Sequence, residues 1–522
     1  MSEPDFLIAG AGHNSLITAA YLAQAGLRVQ VLEARDAIGG DTITEELTLP
    51  GFHHDSCSSA HVLIQNNPLL RENELGLDRY GLEYLFPDPA LVIPFNDGES
   101  ITMYRDRERT AAEFARFSPR DGRAYLELLA DWDSVKATVN AGNQRAPRKP
   151  SEALAALEAT AKGMEMARVR ASTAWDVVCE RFEAPHTRAF LLWMAMMTAQ
   201  PIDRPYSGFL PFSLTSGRQA YSWTTPRGGS GMLPQALAAY ITERGGVIET
   251  GRWVERAIIE GGRVVGLRTR DGSEYRARRG VVSTIHLKHL PEVVGAQALG
   301  AEFMAGVDRW KAGITFFATH YALSEAPRYR THDGSGVSSV AMGAAGSAEN
   351  LLAACQDFRA GRLHLDDPML LVVNSSVADP SRAPEGKHTL KVISYLPYEL
   401  PEGPEHWDTI KNEVSDRLLA HLRTLAPNLT DDVILARHVE SPLDMERRNP
   451  HNWHGSCHGG DQDPAQEGYL RPMPGYSQYR SPVPGLYMTG GCTHPGGSVS
   501  GAPGRNAAHA ILADLGLSAA KA

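Results

Sequence analysis

Residues 6–44 read FLIAGAGHNSLITAAYLAQAGLRVQVLEARDAIGGDTIT. Four apolar residues, Phe6–Ala9, run straight into Gly10-Ala11-Gly12. A short apolar run bounded by glycines reads as a buried parallel strand. Residues 14–25 then follow helical periodicity until Gly26 ends it. A second apolar run, residues 28–32, closes on Glu33. Strand, turn, helix and strand within about 30 residues make the βαβ unit that seats a dinucleotide.

The spacing Gly10-x-Gly12-x-x-Ser15 gives each position a task. Gly10 allows the tight turn, and Gly12 lets the backbone come close to a pyrophosphate. The helix that follows aims amide hydrogens and the positive end of its dipole at that anion. Glu33 stands where ribose hydroxyls donate. Ser15 replaces the third glycine of the fingerprint, a position that serves helix–strand packing, and serine is small enough to fill it.

Beyond Glu33 the chain continues Arg35-x-x-x-Gly39-Gly40-x-x-x-Thr44, an extension that nicotinamide dehydrogenases usually lack. Near the other end, residues 485–508 read GLYMTGGCTHPGGSVSGAPGRNAA. These segments, with residues 226–260, resemble FAD-dependent oxidoreductases of the phytoene desaturase and amine oxidase type. Within that group they are similar to the branch named pyridine nucleotide-disulfide oxidoreductase domain-containing, although the C-x-x-C dithiol that name suggests is absent. The resemblance implies an α/β fold: a glutathione-reductase-type FAD-binding Rossmann domain interleaved with a mixed-sheet plus helical substrate domain. It places the FAD domain in residues 1–70, 226–300 and 440–522, and the substrate domain in 71–225 and 301–439. It also implies FAD contacts from Gly10, Gly12, His13, Asn14, Ser15, Glu33, Ala34, Arg35, Gly39, Gly40, Asp41 and Thr42 at the front. Val254 would bond the adenine, and Gly491, Gly497, Ser498, Val499 and Ala502 would lie at the flavin. A helix opening near Ala502, with Pro503 in its first turn, would stabilise negative charge on the reduced flavin.

Composition agrees with a folded enzyme. The chain has 522 residues, 43% hydrophobic and 21% charged, enough to bury a core without disulfide or metal staples. The net charge of −10 argues against nucleic acid as a partner. The five cysteines, Cys57, Cys179, Cys355, Cys457 and Cys492, are scattered, form no zinc-spaced cluster and suit a reducing compartment. The acidic opening MSEPDFLIAGAG has no basic n-region, so a cytoplasmic protein is expected. The longest apolar stretch, residues 190–197 (FLLWMAMM), is too short to span a membrane. It reads as a buried core helix, with weak membrane docking as the alternative.

Along the chain, residues 105–200 read as helices broken near Pro147 and Pro150, and residues 231–244 as another helix. Residues 253–259, 263–270 and 280–284 read as a three-stranded meander. Residues 314–323, 369–374 and 389–396 read as strands of a second sheet beside a helix over 405–424. Gly334-Ser335-Gly336 follows the polar residues 330–333 and reads as a loop, so no second nucleotide module is expected. Electrons would then enter from an organic substrate and leave to oxygen, a quinone or a carrier.

The reaction implied is FAD-dependent oxidation of a small, largely apolar substrate by hydride transfer, including desaturation α,β to a carbonyl. His61 and His494 are the candidate bases for the α proton. His458 is a further candidate, Tyr221 and Trp223 are candidate pocket residues, and His53 and His54 read as solvated strand-end residues. Cys492, beside the flavin loop, reads as a small packed side chain. Alternatives are a flavin oxidase of an amine, aldehyde or alcohol, and a carotenoid ketolase. A non-enzymatic alternative is a prenyl-protein escort of the GDP-dissociation-inhibitor type, against which Glu33, Gly39, Gly40 and the Thr-His-Pro-Gly-Gly turn all speak.

Overall fold

The computed structural model describes residues 3–517. The opening stretch forms the strand Phe6–Ala9, the helix His13–Gln24 and the strand Val29–Leu32. The two strands pair in parallel, Phe6 opposite Val29 and Ala9 opposite Leu32. They are the centre of a five-stranded parallel sheet ordered Leu486–Met488, Gly280–Ser283, Phe6–Ala9, Val29–Leu32, Val247–Glu249. The strands thus come from three separated stretches of chain.

The first strand shows why its sequence is apolar on both sides. Phe6 and Ile8 pack into a cluster with the helices His13–Gln24, Met232–Glu243 and Ala502–Asp514. Leu7 and Ala9 point the other way, into a cluster with Val264, Leu267 and Phe303. A strand covered on both faces needs an unbroken apolar run, because alternate side chains meet opposite layers.

The meander differs from the expected one in its third strand. It consists of Val254–Glu260, Arg263–Thr269 and Glu274–Arg276, all antiparallel. Gly280–Ser283 joins the parallel sheet beside Phe6–Ala9 instead. All four of its residues are buried, which suits a central strand, whereas Glu274 and Arg276 are exposed, which suits an edge.

A second sheet has seven strands, ordered Ile434–Glu440, Phe317–Leu323, His388–Ser394, Leu370–Val373, Ala341–Ala344, Leu91–Pro94, Ser100–Met103. It is mixed: Ala341–Ala344 and Leu91–Pro94 run parallel, and the other neighbours run antiparallel. One face packs on the helix Trp407–Leu425. The other packs on the helices between residues 107 and 221. The apolar stretch FLLWMAMM lies mostly in the helix Pro185–Met196, whose residues from Ala189 onward are buried, so that face is core. Trp193 donates its indole N–H to the Leu370 carbonyl at 2.9 Å. Among the described residues no helix is long and apolar enough to cross a membrane.

The two ends of the chain meet at the nucleotide helix. Thr18 Oγ1 donates to the Gly504 carbonyl at 2.9 Å, and the Gly504 N–H donates to Asn14 Oδ1 at 3.3 Å. A Cβ on Gly504 would lie 2.3 Å from the Asn14 carbonyl oxygen and 3.0 Å from Ile17 Cβ. Gly504→Ala is therefore expected to destabilise the protein by about 1–3 kcal/mol, the usual cost of overpacking, despite alanine's better helix propensity. Thermal melts of the two proteins check this.

Candidate active site

A cavity of about 820 Å³ opens where the two sheets meet. From the parallel sheet it takes Ala9, Gly10, Leu32 and Glu33, at the carboxyl ends of adjacent strands. That is where open α/β sheets bind ligands. From the seven-stranded sheet it takes Leu371 and Ile393.

The front of the cavity is a cradle of backbone. Gly10 has φ +96°, and a Cβ there would sit 2.3 Å from Thr284 Oγ1. Gly12 borders the cavity, and a Cβ on it would meet nothing within 4 Å, so it would project into open space. The Gly39 N–H donates to the Ala11 carbonyl at 2.8 Å and brings the Gly39-Gly40 pair against Gly12. Both carboxylate oxygens of Glu33 are held by backbone: Ala11 N–H donates at 2.6 Å and Arg35 N–H at 2.9 Å. Each oxygen keeps a lone pair for a further donor. Arg35 pairs with Glu45 at 3.1 Å through Nη2, while its buried Nη1 meets no partner. A bare backbone at a helix start, an anchored carboxylate and a cationic donor to spare fit the pyrophosphate and ribose of a dinucleotide.

The sequence profile of the flavin-containing amine oxidoreductase family matches residues 16–512. The chain belongs to that family. It is 28% identical, over 98% of its length and 94% of the other, to mouse pyridine nucleotide-disulfide oxidoreductase domain-containing protein 2. It is 27% identical to a limonene dehydrogenase polypeptide of Castellaniella defragrans, over 99% and 96%. It is 25% identical to the neurosporene-forming phytoene desaturase of Rhodobacter capsulatus, over 94% and 90%. Among solved structures, putrescine oxidase superposes over 98% of this chain and 99% of its own with a TM-score of 0.63 at 16% identity, a likeness of fold. The protein is a phytoene desaturase-like, FAD-dependent oxidoreductase.

The cofactor residues expected of such an enzyme fall together. Gly10, Gly12, His13, Asn14, Ser15, Glu33, Ala34, Arg35, Gly39, Gly40, Asp41, Thr42, Val254, Gly491, Gly497, Ser498 and Val499 all border the cavity. Ala502 does not; it opens the terminal helix and is buried behind the wall. Ser15 Oγ turns back to its own helix, donating to the Gly12 carbonyl at 2.8 Å. Burial pushes the His13 imidazole down to about 4, so it faces the site neutral.

The expected bases fall elsewhere. His61 is fully buried between Tyr84 Oη at 3.0 Å and Ser230 Oγ at 3.2 Å, and burial lowers its pKa to about 3. His494 is 7% exposed, with Nε2 3.2 Å from the Gly142 carbonyl, and burial lowers its pKa to about 4. Neither borders the cavity. His458 does, with Nδ1 3.3 Å from Ser498 Oγ. Trp223 lines the cavity, but Tyr221 does not: it donates to Asn66 Oδ1 at 3.1 Å. His54 is buried in a short strand against Thr48 rather than solvated. Cys492 is buried, its thiol donating to the Gly459 carbonyl at 3.3 Å.

The fold also creates a thiol pair that no local spacing announces. Cys57 and Cys457 both line the cavity, their thiols within hydrogen-bonding reach of each other, and His458 stands beside Cys457. The hydrogen bond from Cys57 lowers the Cys457 pKa against the pull of burial, and the charge on His458 lowers it further. Burial opposes charge on His458, yet the Cys457 thiolate carries its pKa above the ordinary imidazole value. Lys391 pins the other cysteine's segment, donating to the Cys57 carbonyl at 2.7 Å and Ser59 Oγ at 3.1 Å. His286 and His451 complete this wall, with His451 Nδ1 3.0 Å from the Thr284 carbonyl.

Glu33→Ala orphans two backbone N–H groups, each worth about 1–3 kcal/mol when left unpaired in the interior. The purified variant should lose most of its visible flavin absorbance. In Cys57→Ala the donor to Cys457 is gone, so the Cys457 pKa rises and less thiolate exists at neutral pH. The rate of Cys457 alkylation by iodoacetamide should fall, and its pH profile should shift to higher pH.

Proposed function

We propose that this FAD-dependent oxidoreductase is a desaturase or dehydrogenase acting on a largely apolar organic substrate, oxidising it by hydride transfer to FAD. The observation that carries this reading is the far end of the cavity. There Met197, Leu214, Trp223, Phe316, Leu371 and Ile393 form an apolar wall continuous with the nucleotide cradle. Such a wall buries a hydrocarbon body and orients it through a few polar groups. The names of two relatives, limonene dehydrogenase and phytoene desaturase, support the same substrate class.

FAD, once bound, supplies the two-electron acceptor. The chain supplies position and proton handling. Gly12 and Arg35 hold the anionic part of the dinucleotide, and Glu33 takes its ribose. A substrate carbon that gives up hydride leaves a neighbouring C–H acidic, and α,β to a carbonyl that proton needs a base. Cys457 with His458 is the acid–base pair on the cavity wall, and we assign the proton to it rather than to His61 or His494. The escort reading is set aside, since the nucleotide cradle is intact and the family is one of oxidoreductases.

The test is anaerobic mixing of the yellow protein with polyenes, cyclic ketones and amines. Apolar polyenes or ketones should bleach the flavin absorbance, and readmitting oxygen or a quinone should show which acceptor restores it. Bleaching by amines alone would make the protein an amine oxidase instead. A colourless protein that takes up no FAD would end the flavin reading.

A further inference from the structure

Arg218 is the one cavity residue whose chemistry the desaturase reading does not use. It sits on the helix Leu210–Tyr221, lines the cavity and is 7% exposed. Its Nε and Nη1 are buried and meet no hydrogen-bond acceptor, and no carboxylate among the described residues forms an ion pair with it. The acids of the cavity wall are engaged elsewhere. Glu33 is held by backbone, and Asp41 accepts from Asn449 at 2.9 Å and Asn452 at 3.0 Å. Glu255 pairs with Arg268 at 3.3 Å, and Glu292 lies 3.9 Å from His289.

A buried guanidinium without a counter-charge is costly, and proteins rarely keep one without use. Its surroundings here are apolar. The guanidinium carbon lies 3.8 Å from the centroid of the Trp223 ring, which covers it by a cation–π contact. Trp223 is itself fixed, its indole N–H donating to the Ser59 carbonyl at 3.1 Å. An aromatic ring against a guanidinium leaves the in-plane N–H fork free, the edge that takes a carboxylate in two parallel hydrogen bonds. Tyr395 faces the same space, with its hydroxyl spent on the Met197 carbonyl. Burial pushes the Arg218 pKa down to about 9, which leaves the group charged at neutral pH and records the strain of holding it there.

We infer that Arg218 is the anchor for a carboxylate on an otherwise apolar substrate, so that the substrate class is an apolar carboxylic acid. A single cation in an apolar wall balances one negative charge, which favours a carboxylate over a phosphate dianion. Tyr395 feels both Arg218 and Cys457, so the anchor and the proton-accepting corner belong to one pocket. An acid held by its carboxylate would present the carbons next to it to that corner. This inference rests on the reading of the cavity as a substrate pocket.

The experiment is calorimetric titration of the flavin-loaded protein with octanoate and with octan-1-ol, in wild type, Arg218→Met and Arg218→Lys. Octanoate should bind wild type more tightly than the alcohol. Arg218→Met should weaken octanoate by about ten- to hundredfold, the range for hydrogen bonds to a charged group, and leave the alcohol unchanged. Arg218→Lys should fall between, because it keeps the charge but loses the fork. Melting temperature supplies the second readout. Without ligand, Arg218→Met should melt no lower than wild type, since an uncompensated buried charge has gone. Octanoate should raise the melting temperature of wild type but not of Arg218→Met. Equal binding of octanoate and octanol to wild type, or undiminished octanoate binding by Arg218→Met, would overturn the anchor while leaving an apolar pocket in place. If neither compound binds, the substrate-pocket reading falls with it.

Discussion

Everything in this protein hangs on bare backbone at Gly10–Gly12. There a strand end, a helix start and the Gly39-Gly40 segment approach so closely that side chains have no room. A Cβ on Gly10 would strike Thr284, one on Gly40 would lie 3.3 Å from Gly12 Cα, and one on Gly39 would lie 2.4 Å from the Thr42 carbonyl oxygen. The same closeness lets Glu33 reach the Ala11 amide and lets Gly39 bond Ala11. The turn therefore shapes the nucleotide cradle and also locks the first two strands to the segment beyond them.

The cavity that grows from this turn is electrostatically economical. Most histidines on or near it are held neutral by burial, as His13 and His286 are. Charge is kept at few places: the Arg35–Glu45 pair at the front, Cys457 with His458 in the middle, and Arg218 at the apolar end. In a water-poor pocket an isolated charge acts strongly on whatever enters, because little screens it. Three such points along one cavity give a dinucleotide and an apolar substrate separate handles.

The family shares a way of holding FAD more than a substrate. Putrescine oxidase shares the architecture at 16% identity, while the relatives named for limonene and phytoene are closer in sequence. Function within such a fold is set by the lining of the pocket. In this chain the lining is supplied by the helix Leu210–Tyr221, by the segment around Met197 and by the inner face of the seven-stranded sheet.

By itself the sequence determined what depends on neighbours along the chain. Gly10, Gly12, Ser15 and Glu33 lie within one βαβ unit, so their spacing already specifies a cradle, and the Gly/Pro-rich rear segment is legible for the same reason. Helices with strong periodicity, such as Trp407–Leu425, were legible too. The strand Gly280–Ser283 was misplaced because a short apolar run looks alike beside a meander and inside a parallel sheet; only burial on both faces separates them. Tertiary structure alone decided that His61 and His494 face away from the cavity, that Cys57 meets Cys457, and that Arg218 has no counter-charge. Such facts are relations between residues far apart in the chain. They follow from how two sheets close on one another, and no local spacing encodes that distance.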